Sequence, residues 1–171
     1  MILDFQGKRP KFDASVFIAP NATVIGDVEL GSETNVWFYS LLRGDVNTIR
    51  VGAGCTIQDA CILHVGRNLF PLDLEDEVVL GHRVTVHGCR IGRGAMIGTG
   101  ATVLNGARIG EAAIIGACAV VTPGTVIPPR MLALGIPAKP VRELAEKDFA
   151  MIRRTRESYR NLMTIYMKMQ D

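Results

Sequence analysis

Seven aliphatic residues, Ile91, Ile97, Val103, Ile109, Ile115, Val121 and Ile127, fall at every sixth position of the chain. Neither the 3.6-residue period of a helix nor the alternation of a strand gives that spacing. A short strand and a turn, repeated, does. Four of the seven (Ile91, Ile97, Ile109 and Ile115) are followed directly by glycine. Those glycines are expected near corners, where they accept backbone angles that a side chain forbids. The period also runs upstream through Ile18, Val24, Leu30, Val36 and Leu42. It resumes after a shift at Val51, Ile57 and Leu63, resumes again at Leu74, Leu80 and Val86, and contracts to five before Ile91. One six-residue unit makes about one wall of a triangular prism, and three close a coil. Each coil buries its aliphatics only by stacking on its neighbours. The pattern predicts a parallel β-helix over roughly residues 11–137, with loops or compressed corners at the register breaks.

The pattern changes at Pro137-Ala138-Lys139-Pro140. From Val141 the apolar residues Leu144, Phe149, Ile152, Tyr159, Leu162, Met163 and Tyr166 approximate helical spacing. Asp148 is the expected cap of the longer helix, with Met151 where a capping box prefers Glu or Gln. The division is therefore a β-helix over 1–140 and a helical segment over 141–171 that packs on it. The basic cluster Arg153-Arg154-Thr155-Arg156 reads as a solvated or intersubunit face.

Composition narrows the function. A net charge of +2 over 171 residues gives no basic excess for nucleic acid. No apolar run reaches membrane-spanning length, and the opening residues carry no signal-peptide pattern, so a cytoplasmic protein is expected. Cys55, Cys61, Cys89 and Cys118 show neither CxxC pairing nor disulfide-scaffold spacing. They are expected to be small buried residues in a reducing compartment.

His64, His82 and His87 are the only three histidines, and they lie within one 24-residue window. His64 and His87 each follow an inward aliphatic directly, and His82 follows Leu80 by two, so all three should face outward or lie near corners. Taken singly, each is an ordinary surface histidine; clustered on one part of a regular scaffold, they form a candidate metal site. The extended span from His82 to His87 reaches ~16 Å, whereas zinc needs imidazole nitrogens at about 2.0–2.1 Å. One chain is thus not expected to offer all three rings to one ion. If a metal is bound, two histidines come from one prism and the third from a neighbour, with His64 and His87 as the pair from one chain. A trimer suits a triangular prism.

Three strings, "LLRGDVNTIRVG" from Leu41, "IQDACILHVG" from Ile57 and "LGHRVTVHGCRIG" from Leu80, resemble the gamma-class carbonic anhydrase family, including its ferripyochelin-binding-protein-like members. The resemblance continues through "GIPAKPVREL" to the C-terminal helix. It implies a left-handed parallel β-helix of hexapeptide repeats with a C-terminal α-helix, assembled as a homotrimer. It also implies His64, His82 and His87 as metal ligands, two from one subunit and one from the next. Zn2+ is the implied cofactor, with Fe2+ or Co2+ also used in the family, since three histidines do not discriminate among them. Arg43 and Asp45 match an ion pair that supports the subunit interface. Gln58 and Asp59 match polar residues near the metal, and Tyr159 matches a tyrosine of the C-terminal helix that reaches the site.

The implied reaction is hydration of carbon dioxide to bicarbonate by a metal-activated hydroxide. The sequence departs from the best-studied members at three places. Val46 stands where they have a glutamate. Val65 to Asp73 is short and lacks the proton-shuttle glutamate of their acidic loop. Thr56 stands in place of an asparagine. Two other functions fit the same scaffold: a hexapeptide acyltransferase using acyl-coenzyme A with one histidine as base, and a non-catalytic metal-binding trimer.

Overall fold

The computed structural model describes residues 1–169, which form a left-handed parallel β-helix of about seven turns with a single C-terminal helix. The repeat aliphatics stack coil upon coil in three columns. The first runs Val24, Leu42, Leu63, Val86, Val103 and Val121. The second runs Leu30, Val51, Leu74, Ile91, Ile109 and Ile127. The third runs Ile18, Val36, Ile57, Leu80, Ile97, Ile115 and Ala133. All but Ile18 are buried. Short parallel strands of mostly two or three residues suffice, because each rung is hydrogen-bonded above and below. Among the described residues, no helix is long and apolar enough to cross a membrane.

The corners are made differently from the sequence expectation. Left-handed backbone recurs every sixth residue at Gly94, Gly100, Gly106, Ala112, Cys118, Gly124 and Arg130. The glycine directly after each aliphatic lies two positions earlier and is small for another reason. At Gly98 an added Cβ would meet the backbone nitrogen of Ala117, in the next coil, at 2.6 Å. Close stacking of coils, not turn conformation, selects that glycine. Gly98→Ala is therefore expected to destabilise the protein by about 1–3 kcal/mol, the usual range for overpacking. Urea unfolding measures it, and a loss under about 0.5 kcal/mol contradicts the close-stacking account.

The register breaks extrude chain at one corner. Gly44 pairs with Gly26 and Ile49 with Val28, so Asp45, Val46, Asn47 and Thr48 bulge out opposite the single residue Asp27. In the following coil, residues 65–71 leave the wall, with Gly66 bridged to Phe70 across an exposed turn. The coil after that passes directly from His87 through Gly88 and Cys89 to Arg90. The contraction to five residues is this tight corner.

Three further expectations change. Cys118 is exposed, because the left-handed corner turns its side chain outward; Cys55, Cys61 and Cys89 are buried, and burial pushes each thiol up to about 12. Residues beyond 140 do not turn helical at once: Lys139–Glu143 pairs antiparallel with Met131–Leu134 and covers the end of one wall. The helix spans Glu146–Lys168 with Ala145 at its N-cap, so Asp148 is the third helical residue, not the cap. Its carboxylate accepts the Ala145 N–H at 2.7 Å and is forked by Arg142.

The helix lies against the prism through aromatic contacts. Tyr159 and Tyr166 meet Trp37 edge-on at 5.1 and 5.3 Å, and Tyr166 also reaches Phe17 and Phe38. Within the basic cluster, Arg156 pairs with Glu77 of the prism and Arg153 with Glu146 of the helix. At least these two arginines are engaged within the chain.

Candidate metal centre

Three adjacent rungs at the extruding corner carry Arg43, His64 and His87 in register. Each follows an inward aliphatic, which the core anchors, so the next side chain must face outward. The bulge returns Asp45 to this row. Its carboxylate contacts Arg43 and accepts from His64 Nε2 at 3.0 Å. His64 Nδ1 lies 3.0 Å from His87 Nε2, and His87 Nδ1 lies 2.5 Å from Asn105 Oδ1. Both rings are half-buried.

These partners decide where the protons sit. A carboxylate and an amide oxygen accept only, so His64 carries its proton on Nε2 and His87 on Nδ1. The two remaining lone pairs, on His64 Nδ1 and His87 Nε2, then point at one another. That arrangement is repulsive unless a cation bridges it or one ring gives up its anchor. Two imidazole ligands at tetrahedral zinc stand about 3.3 Å apart, from Zn–N bonds of about 2.0–2.1 Å. The observed 3.0 Å is close to that separation. The pair fits a metal such as zinc, with a carboxylate and an amide orienting the rings from behind.

Burial leads the forces on His64 and, with Arg43 and His87, lowers its pKa against the opposing pull of Asp45. Burial opposes ionisation of Asp45 as well, but hydrogen bonds from His64 and Arg43 hold its carboxyl below the ordinary value. The sign follows for each group. An unfolded chain protonates more readily at His64, so metal-free stability falls as pH drops below 6.5. Asp45 contributes fully above 3.8 and is lost as pH falls through its lower folded value. Urea midpoints of metal-free protein should therefore decline as pH falls below 6.5, through His64, and decline again below 3.8, through Asp45. His64→Leu should flatten the first decline; an unchanged slope contradicts the assignment.

His82 belongs to a separate group, on the turn after the strand Val79–Leu80. Its Nδ1 lies 3.0 Å from Asp59 Oδ2, its Nε2 lies 3.3 Å from the Tyr159 hydroxyl, and its backbone N–H donates to Gln58 Oε1 at 3.1 Å. Asp59 keeps the proton on Nδ1 and leaves the Nε2 lone pair outward on a side chain 47% exposed. Burial, then Asp59 and Cys61, raise the Tyr159 pKa, so the phenol stays protonated at neutral pH. Gln58 is buried and Asp59 half-buried, both held by the wall beneath. Among the described residues, no three histidine, cysteine or carboxylate side chains of one chain group around a metal-sized point. His64 and His87 come together; His82 stands apart with Gln58, Asp59 and Tyr159.

Asn105 escaped the sequence reading. It sits about one coil beyond His87, just past the strand Thr102–Val103 that pairs with Thr85–Val86. Counting one coil forward from each histidine would have found it. The short stretch after His64 places Phe70 against Gly66, Gly88 and Gly106. Glu75 and Asp76 lie on the other side of that segment and bind Arg90 and Arg93. The groove beside Asp45, about 560 Å³, is bordered by Lys8, Val46, Asn47, Arg67 and Asn68.

The family described as bacterial transferase hexapeptide (six repeats) matches residues 88–123. A Geobacillus kaustophilus protein named "Carbonic anhydrase" is 45% identical over 171 residues, spanning 100% of this chain and 93% of its own. "Gamma carbonic anhydrase 2, mitochondrial" of Arabidopsis thaliana is 38% identical over 164 residues, 93% of this chain and 59% of the relative. Among solved structures, a hexapeptide transferase family protein from Anaplasma phagocytophilum superposes with a TM-score of 0.90 at 33% identity, over 96% of this chain and 97% of that one.

Proposed function

Since the chain belongs to the gamma-class carbonic anhydrase family, we propose that it hydrates carbon dioxide to bicarbonate at a zinc ion shared between two subunits of a homotrimer. His64 and His87 of one subunit and His82 of the next would hold the ion. The observation that carries this reading is the set of anchors. Each histidine has one nitrogen fixed against Asp45, Asn105 or Asp59, and the other, which on His82 lies 3.3 Å from the Tyr159 hydroxyl, carries the lone pair that a cation would take. A zinc ion held there supplies Lewis-acid polarisation and brings the ionisation of water towards neutrality, the established behaviour of carbonic anhydrases.

The chain's own residues do the rest. Asp45 and Asp59 orient His64 and His82 and place negative charge behind them. Arg43 neutralises Asp45 and fixes the bulge. Gln58, with its oxygen taken by the His82 backbone, has its amide N–H free to donate to a bicarbonate oxygen. Tyr159 carries a hydroxyl donor at the same edge. No glutamate occupies Val46 or the segment 65–71, so proton export falls to buffer or solvent. Turnover is therefore expected to rise with buffer concentration.

The family description and the Anaplasma relative support a second reading, acyl transfer from acyl-coenzyme A with one histidine as base. The third is a metal-binding trimer without catalysis. Stopped-flow carbon dioxide hydration by zinc-loaded protein, beside thiol release from acetyl-coenzyme A with a panel of amines, separates them. Hydration that requires zinc supports the proposal. Zinc-independent acyl transfer, or zinc binding without hydration, overturns it.

A further inference from the structure

We infer that Asn105 is a positioning residue. It fixes the His87 ring in the Nδ1-protonated form and so turns the Nε2 lone pair toward His64. This rests on the reading of His87 as a metal ligand. The Asn105 oxygen lies 2.5 Å from His87 Nδ1. Its backbone is held on both sides: the Asn105 carbonyl accepts from the Gly124 N–H at 2.9 Å, and the adjoining Gly106 N–H donates to the Gly88 carbonyl at 2.7 Å. A side chain on so fixed a backbone has little freedom to leave its partner. Neutral free histidine prefers the opposite tautomer, with the proton on Nε2, so an acceptor at Nδ1 is needed to reverse it.

Gly88 makes the contact possible. A Cβ there would lie 2.7 Å from the Asn105 oxygen and 2.5 Å from the Phe70 Cβ. The missing side chain leaves the space through which Asn105 reaches His87, while Phe70 closes it from above. The three histidines are then backed unequally, two by carboxylates and one by a neutral amide. The amide orients His87 without adding a third negative charge behind the cation.

The test compares wild type with Asn105→Leu and Asn105→Asp. Metal-free proteins are examined by long-range proton–nitrogen correlation of the imidazoles at about pH 8.5, well above the ordinary histidine pKa. Zinc affinity is measured separately by chelator competition. Wild type should show His87 protonated on Nδ1. Asn105→Leu should move the proton to Nε2 and weaken zinc binding about 10–100-fold, the usual effect of losing such a partner. Asn105→Asp, which keeps the acceptor, should restore both at similar thermal stability. A wild-type His87 protonated on Nε2, a tautomer unmoved by Asn105→Leu, or no rescue by Asn105→Asp would overturn the assignment. Wild-type protein that binds no zinc but shows the expected tautomers would refute the metal reading and leave the Asn105 contact standing.

Discussion

Replacing His82 with alanine is expected to release zinc from the assembled protein while leaving the prism folded. The side chain is 47% exposed, and its polar contacts among the described residues are with Asp59 and with Tyr159 of the C-terminal helix. Its removal opens no cavity among the three aliphatic columns. Metal-free stability should therefore stay within about 0.5 kcal/mol of wild type, as for most surface substitutions. The loss falls on the metal. Two imidazoles remain where three protein ligands hold a catalytic zinc, and hydration should fall to the uncatalysed rate. Metal analysis after dialysis against a chelator, with urea unfolding alongside, checks both parts. Full zinc retention by His82→Ala would remove this histidine from the site.

The opposite result is expected for Ile97→Ala. Ile97 is completely buried between Leu80 and Ile115 in its column. Truncation removes three carbons from a coil whose neighbours are pinned by hydrogen bonds above and below, which limits collapse into the gap. The expected cost is about 2–5 kcal/mol, read from the urea midpoint. Each coil is stabilised largely by the next, so the damage should reach both adjacent coils. Val126→Ala, at a residue 63% exposed, serves as a control and should change stability by less than about 0.5 kcal/mol. A loss under about 1 kcal/mol at Ile97 would mean that the columns are not the core of the fold.

The fold was readable because one physical requirement repeats: an aliphatic must enter the prism once per wall. Every residue from Ile91 to Ile127 picked out by the period stands in one of the three columns. The corners were harder to read. The glycine after each aliphatic is small because of the coil stacked on it, a contact 18 or so residues away that local turn rules do not contain. Cys118 looked like a buried thiol from its residue type, yet it occupies a left-handed corner that turns it outward. The helix began later than its apolar spacing suggested, because residues 139–143 pair with an open strand edge first. Asn105 was missed because its relation to His87 is set by the length of a whole coil, 18 residues away, and not by local sequence spacing.

The separation of His82 from the His64–His87 pair leads to the central claim, that the metal site is shared between chains. It is tested most directly by mixing two inactive variants, His82→Ala and His87→Ala, unfolded together and refolded at equal concentration. A site that takes His64 and His87 from one subunit and His82 from its neighbour is intact whenever a His82→Ala chain supplies the pair and a His87→Ala chain supplies the third ring. Random assembly of cyclic trimers makes about one quarter of the sites whole. The mixture should recover zinc and hydration activity to about that fraction of wild type, while each variant refolded alone recovers none. If the mixture stays as empty as its components, the site is not shared between subunits.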